Sequence, residues 1–421
     1  MSRKTRARER GVPWITIGLA ALFLAGGLGV LAFGTWLVDR PAARADADAD
    51  QWASDYWRTP VAPQGALPPG HRPETAGLRV EDCAQCHAVQ AQDWRASLHA
   101  AAMGPGVVAQ FPAMDPEDQA QCRECHAPLG EQWPSLPRQA GWGGNPDYDA
   151  ALTDQGVVCA ACHLRGRVRH GPPLAPGRIA ISHVYHGEPV RTAYFESSEF
   201  CRPCHQHAQG MMAPNGKSVE NTYQEWLASP AAAEGRSCQS CHMPDRRHTW
   251  KGIHDPDMTR SGVTIAAGWQ SGPPRQGEVA RARLTVRNTG TGHAFPTYTT
   301  PAVHLRAVFV DAAGRAPAPT PLAERTLQRR LDMTTYPWSE QFDTRLLPGA
   351  AATLQVDAPV PGWAAALRLW IEVEPDQFYA DFFRERLEEQ PGPEAAALYR
   401  EALERATRSA YVLFEQTLPL R

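Results

Sequence analysis

The rhythm of hydrophobic and polar positions changes three times along this chain. After Arg3, Lys4, Arg6, Arg8 and Arg10, an uncharged run extends from Gly11 to Val38. Its apolar part, Trp14 to Val38, would reach roughly 38 Å as a helix at about 1.5 Å per residue, longer than a hydrocarbon core of about 30 Å. It also exceeds the ~7–15-residue apolar stretch of a signal peptide. The run therefore predicts a retained single-span anchor over residues 1–39, with Trp14 and Trp36 at the two interfaces and the basic end in the cytoplasm. Small residues around Ala43 to Ala47 leave a cleavage site open as the alternative. Residues 40–80 are rich in Pro, Ala and Asp without sustained periodicity, and read as a linker.

A second rhythm begins near Val263. Ala280, Ala282, Leu284 and Val286 alternate with Arg281, Arg283, Thr285 and Arg287, the period of a half-buried strand. Val303, Leu305, Ala307 and Phe309 repeat it, and Ala352–Val356 and Leu367–Val373 fit further strands. Together they predict a small antiparallel sandwich over 261–375, with a long aperiodic connection around Thr320–Arg345. The third rhythm is helical. Asp376–Leu387 and Glu394–Leu413 carry apolar faces (Phe382, Phe383 and Leu387, then Leu398, Ala402 and Leu403) separated at Pro391 and Gly392, so 376–421 reads as two helices.

Between these regions, residues 81–260 have no dominant period and a different signal. C-x-x-C-H occurs five times: Cys83/Cys86/His87, Cys122/Cys125/His126, Cys159/Cys162/His163, Cys201/Cys204/His205 and Cys238/Cys241/His242. All 10 cysteines are used, at a pitch of 37 to 42 residues. Two cysteines that form thioethers to a porphyrin hold the adjoining histidine beneath the iron, so the pattern reads as five covalently bound c-type haems with five proximal ligands. A disulfide framework predicts smaller domains and no histidine after each pair, five pairs do not divide into Cys₄ zinc sites, and no βαβ pattern surrounds the motifs as a thioredoxin-like site requires. So short a pitch cannot build a separate core around each cofactor. The haems must pack near one another, which is the condition for electrons to pass between them.

Five of the 15 histidines are proximal, and distal ligands must come from the remainder. His99, just beyond the first motif on an expected short helix, leads. His248, His293 in Gly290-Thr-Gly-His293-Ala-Phe-Pro296, His170 and one of His183 or His186 (His186 the choice) complete the set. His207 is too near the fourth motif to reach the same iron, while His71 and His304 read as structural. Met103, Met211 or Met243 could instead be axial and would raise a potential. An internal echo, Gln92-Asp-Trp94-Arg-Ala-Ser97 against Gln224-Glu-Trp226-Leu-Ala-Ser229, reads as a repeated scaffold helix whose tryptophan packs on a porphyrin edge. A formal net charge of −3 gives nucleic-acid binding no support, and 38 prolines with 34 glycines imply much irregular backbone.

The motif half resembles the multihaem cytochrome c family that includes the tetrahaem cytochrome serving hydroxylamine oxidoreductase. The resemblance rests on Cys83–His87 followed by Trp94-x-x-Ser97-x-His99-Ala100, on Phe200-Cys-Arg-Pro-Cys204-His205-Gln206, on Asn221-Thr-Tyr-Gln-Glu-Trp226 and on Cys238-Gln-Ser-Cys241-His242-Met243-Pro244, over roughly residues 80 to 255. The segment with Gly292-His293-Ala-Phe-Pro296-Thr297 is similar to the C-terminal extension of larger bacterial members. The resemblance implies periplasmic electron transfer with mostly bis-histidine haems. Five haems, an anchor and the extension depart from it, so the family's partner does not carry over.

The expected architecture is α+β: an N-terminal transmembrane helix, a mostly helical or irregular pentahaem domain, then an antiparallel β-sandwich followed by two helices. The expected function is an inner-membrane, single-span cytochrome with haem and β domains in the periplasm, carrying electrons between a membrane respiratory donor and another redox protein. Two alternatives stand beside it. One is a multihaem oxidoreductase acting on a small nitrogen or sulfur compound at one open-site haem. The other is a fixed pentahaem subunit of a quinol-oxidising respiratory complex. The pentahaem nitrite reductases resemble the chain in haem count but mark their catalytic haem with lysine in place of the motif histidine, whereas all five motifs here end in histidine.

Overall fold

The computed structural model describes residues 51–421 except 70, 73–74, 140, 176–186, 188, 208–212, 318–319 and 333–336. The chain divides into two compact units, Met1–Tyr56 and Trp57–Arg421. Of the first, only 51–56 are described, and they are helical. The expected membrane anchor and single-span inner-membrane localisation do not stand. No helix among the described residues is long and apolar enough to cross a membrane. The longest, Pro393–Arg408, has 16 residues and carries charged side chains along its length, short of the ~20 apolar residues a span needs. The Trp14–Val38 run itself lies outside the described residues.

In the second unit the alternating segments form the expected sandwich. Strands β1 (Val263–Trp269), β2 (Val279–Asn288), β3 (Ala302–Val310) and β4 (Ala323–Leu327) are followed by a hairpin, β5 (Arg329–Asp332) and β6 (Ser339–Asp343), then β7 (Ala351–Pro359) and β8 (Ala366–Glu374). A last strand, β9 (Tyr411–Pro419), follows two helices. One sheet runs β7-β2-β1 and the other β9-β8-β3-β4, with antiparallel pairing throughout. Period two fixes which face is buried. Ala280, Ala282, Leu284 and Val286 of β2 are fully buried against Leu305, Leu369 and Ile371 of the opposite sheet. Burying each of the larger side chains is worth about 1.5–3 kcal/mol.

Two features of this half differ from expectation. The connection around Thr320–Arg345 contains β4 and the β5–β6 hairpin. The second tail helix stops at Arg408, and Tyr411–Pro419 returns as an edge strand on β8, with Leu418 opposite Leu367. The pairing stabilises a segment that local propensity leaves undecided, since Leu418 becomes buried and the β8 backbone gains a second partner.

The motif half is built differently. Short helices, single turns and two-residue strands replace long elements, and its main hydrophobic cluster is small: Val61, Val80, Ala91, Trp94, Leu129, Val158, Ala160, Ala161 and Leu164. Val61, Leu78 and Val80, from the stretch expected as a linker, join it. Val61 donates its N–H to the Pro128 carbonyl at 2.7 Å, and Gly130 donates to Val61 at 2.8 Å. The tail helices Gln377–Glu388 and Pro393–Arg408 close over this half, burying Phe383, Tyr399 and Ala402 with Ala109.

A polar weld joins the two halves. Arg345, nearly fully buried, pairs with Glu225 at 2.9 Å and Asp343 at 2.8 Å, and Lys217 also pairs with Asp343. Burial alone would raise the Asp343 carboxyl, but Arg345 and Lys217 outweigh it and hold the group well below the usual carboxylate range. A depressed folded-state pKa contributes stability above the unfolded value of about 3.9, and that contribution is lost as pH falls through the folded value. The gap in unfolding free energy between wild type and Asp343→Asn is therefore expected to be widest near neutrality and to shrink below pH ~4. Denaturant titrations at several pH values test this, and a pH-independent gap would contradict it.

Candidate functional site

Each motif sits on a turn of helix: Val80–Ala84 leading into the first, then Pro116–His126, Cys159–His163, Arg202–His205 and Cys238–His242. In a helix, positions i, i+3 and i+4 share one face, so both cysteines and the histidine of C-x-x-C-H point the same way. Local caps start two of these turns. Asp115 accepts from the N–H groups of Glu117 and Asp118 at 2.9 and 3.0 Å, and the Ser237 hydroxyl caps the fifth. None of the 10 cysteines is joined in a disulfide. With all five motif histidines they line one continuous cavity of about 2660 Å³. A pocket for one small ligand spans ~300–1,000 Å³, so this space suits several large cofactors.

The imidazoles are prepared as ligands. His126 donates from Nδ1 to the Ala102 carbonyl at 2.6 Å, His163 to His170 at 2.8 Å, and His242 to Lys251 at 2.7 Å. His248 and His293 do the same to the carbonyls of Arg246 and Ala294, at 3.1 and 2.9 Å. A carbonyl only accepts, so Nδ1 carries the proton in each ring and the Nε2 lone pair is left for a metal. Burial pushes the His99 pKa down to about 3 and that of His163 to about 4, keeping both rings neutral as ligation requires.

Three motif histidines have a second imidazole facing them. The ring centroids of His99 and His205 are 6.4 Å apart, those of His163 and His248 6.3 Å, and those of His242 and His293 6.3 Å. Two imidazoles on opposite sides of one metal, with metal–nitrogen bonds near 2.0–2.1 Å, place their centroids roughly 6.4 Å apart. The residues therefore fit axial pairs in the fourth, third and fifth motifs. Among the described residues no three of His, Cys, Asp and Glu converge as a closed tetrahedral site would need.

Of the expected distal ligands, His99, His248 and His293 thus face motif histidines. His99 follows the first motif in sequence yet faces the fourth. His170 supplies its backbone carbonyl to His163. His186 and its alternative His183 lie outside the described residues. His304 bonds Thr326 at 3.0 Å in β3, His71 bonds Thr75, and His254 pairs with Asp376 at 2.9 Å. The His293 loop belongs to the β half. Asn288 and Thr291 hold its carbonyl at 2.9 and 2.6 Å, and a Cβ on Gly292 would stand 2.9 Å from that of Ala231, so this close approach needs glycine.

Packing shows which motifs are neighbours. Val80 and Ala84 at the first motif pack with Cys159, Ala160 and Ala161 of the third, the second-motif helix packs on the fourth, and the Cys238 N–H of the fifth donates to the Ser198 hydroxyl, just ahead of the fourth, at 3.0 Å. These contacts join the first motif to the third, and the second, fourth and fifth to one another. Trp250 stands between the two groups. Its indole meets His99 edge-on at 4.5 Å and His248 at 5.1 Å. The backbone of Trp250 is left-handed, with φ +39°. Among the described residues no imidazole faces His126 of the second motif, and Tyr298 and Tyr379 line the same cavity. Burial raises both phenols, that of Tyr379 to about 12, and Tyr298 lies within electrostatic reach of Cys122, Cys125 and Tyr379. Tyr298 holds φ +67°, a strained conformation for a bulky side chain. Nothing in the local sequence marks Trp250, Tyr298 or Tyr379, whereas Asp93 and Glu225 carry a signal in the repeated Gln–acid–Trp pattern.

No family model and no curated protein matches the sequence. Among solved structures, a penta-haem cytochrome c552 from Thermochromatium tepidum aligns with a TM-score of 0.54 at 16% identity, covering 83% of this chain and 100% of that one. An alkylpurine DNA glycosylase from Pseudomonas fluorescens (12% identity, 30% of this chain and 32% of that one) and a sporulation control protein from Bacillus subtilis (7% identity, 27% and 43%) reach TM-scores of only 0.15 and 0.13, which carry no weight. The resemblance to the tetrahaem family rests on its motifs alone, and no comparison shows that family. The fold, across both halves of the second unit, is similar to that of this penta-haem cytochrome, a multihaem c-type cytochrome fold.

Proposed function

We propose that this chain binds five c-type haems and relays electrons through them to a protein partner. The observation that carries the reading is the set of three facing imidazole pairs at 6.3–6.4 Å, each with one member in a C-x-x-C-H motif. Haem, when bound, supplies one-electron chemistry whose potential depends on axial ligand, hydrogen bonding and burial. The chain's own residues supply the rest. Carbonyls fix the Nδ1 protons and burial keeps the rings neutral. The packing of the motifs and Trp250 together link all five, with the fourth as the node from which the second, third and fifth branch. Purified holoprotein is expected to contain five haems per chain by pyridine haemochrome assay and to show c-type bands on reductive titration. Absence of c-type bands would end this reading.

The second motif favours an additional role. No imidazole faces His126 among the described residues, and Tyr298 and Tyr379 keep their protons there as hydrogen-bond donors. Such a site suits a small ligand with lone pairs, as the oxidoreductase alternative requires. Electron paramagnetic resonance of the oxidised protein is expected to show a high-spin component that cyanide converts to low spin. A wholly low-spin spectrum, unchanged by cyanide, would remove this role and leave the relay intact.

A further inference from the structure

The two copies of the Gln–acid–Trp helix each perform the same two jobs. The helices are Ala88–Arg95, after the first motif, and Thr222–Leu227, before the fifth. Trp94 donates its indole N–H to the Val157 carbonyl at 2.7 Å, and Trp226 donates to Arg236 at 2.9 Å. Each acceptor lies two residues before the first cysteine of a motif, Cys159 in one case and Cys238 in the other. The acid preceding each tryptophan points elsewhere. Asp93 accepts the backbone N–H of His248 at 3.0 Å and the Arg247 guanidinium at 2.7 and 2.5 Å. Glu225 accepts the N–H of Ala294, next to His293, at 3.1 Å and pairs with Arg345 at 2.9 Å. Both acids are buried, and adjacent helical residues project about 100° apart, so one turn can reach two sides of a site. The targets converge, because His248 faces His163 of the third motif and His293 faces His242 of the fifth.

We propose that Asp93 and Glu225 are positioning residues for the distal ligands His248 and His293, and that the neighbouring tryptophan positions the proximal motif of the same haem. One short helix thus sets both sides of one axial pair, and the chain uses the device twice. This rests on the reading of His248 and His293 as distal ligands. The sequence echo reflects the shared task, and the acid differs in length because the third-motif copy contacts the ligand's own N–H and the fifth-motif copy that of the following residue.

The test uses full-length oxidised holoprotein, electron paramagnetic resonance and cyanide titration. His248→Ala and His293→Ala identify the low-spin signals of the third and fifth motifs. Asp93→Asn and Trp94→Phe are expected to shift the same signal, the third motif's, and Glu225→Gln the fifth motif's. Apparent cyanide affinity should rise about 10- to 100-fold at the affected haem, the range over which outer-shell partners tune metal sites. Asp93→Glu, which keeps the charge, should restore part of the wild-type signal. Should Asp93→Asn fail to fold, Arg247→Ala at the exposed end of the clasp should shift the third-motif signal alone. Asp93 and Trp94 variants that perturb different haems, disturb all five equally, or leave every signal unchanged would overturn the inference. A His248→Ala spectrum identical to wild type would instead overturn the ligand reading, and the inference with it.

Discussion

Replacing His293 with alanine is expected to convert the fifth motif's haem from low to high spin while leaving the fold in place. The residue lies in a loop of the β half, yet its ring faces His242 at 6.3 Å and 15° from parallel. Its Nδ1 proton is committed to the Ala294 carbonyl, its own carbonyl to Asn288 and Thr291, and the next N–H to Glu225. These bonds hold the loop through backbone atoms that alanine retains, so the lost function is the Nε2 lone pair. A shift on the order of 100 mV in one of five midpoint potentials follows, a fraction of the ~0.8 V over which axial ligation tunes haem. Spectropotentiometry and electron paramagnetic resonance measure both effects, with circular dichroism as the check on folding. Five unchanged potentials would show that the β half does not ligate a haem.

Arg329→Met should cost about 3–5 kcal/mol of stability, as expected when one partner of a buried ion pair is removed. Arg329 is 1% exposed. Its guanidinium reaches from β5 to Glu340 at 2.7 Å and to the carbonyls of Ser218 and Lys217 at 2.6 and 2.7 Å. The change leaves the Glu340 carboxylate with one fewer cation and orphans those carbonyls, which are buried between the hairpin and the motif half. Urea denaturation should show a fall in midpoint, and the double variant Arg329→Met/Glu340→Gln should lose less than the two singles combined, since each single strands the other's charge. Additive losses would mean the pair is not coupled. This tie matters for the site because the same hairpin carries Asp343, and through Arg345 and Glu225 it supports the loop of His293.

Legibility in the sequence differed by the range of the interaction concerned. C-x-x-C-H is a local geometry on one helical turn, so the residues proposed to attach and ligate haem could be named without a fold. The period-two segments were equally plain, because a strand with one buried face must alternate. Tyr411–Pro419 was misread, since nothing nearby in the chain distinguishes a helix end from an edge strand that finds β8 only in three dimensions. The distal histidines lay between these cases. Imidazole at a suitable position made His99, His248 and His293 candidates, but which motif each faces was decided by elements far away in sequence. The membrane anchor rested on length and hydropathy alone, and no described helix has the length or the apolarity to take that role.

The repeated Gln–acid–Trp stretch shows the division most clearly. As a string it indicated a duplicated helix, and packing of the tryptophan on a porphyrin was the natural reading. Folded, the indole N–H finds a backbone carbonyl ahead of a motif, and the acid finds the backbone beside a distal histidine. What the sequence by itself determined was the number and place of the C-x-x-C-H motifs and the presence of a β half, because those depend on residues within one turn or one strand. The tertiary structure alone decided which imidazoles pair, which motifs touch, and that Trp250 stands between two of them. Those relations join residues as much as 151 positions apart, as in His99 and Trp250, and no local spacing rule encodes a contact made only when distant turns are packed around a common space.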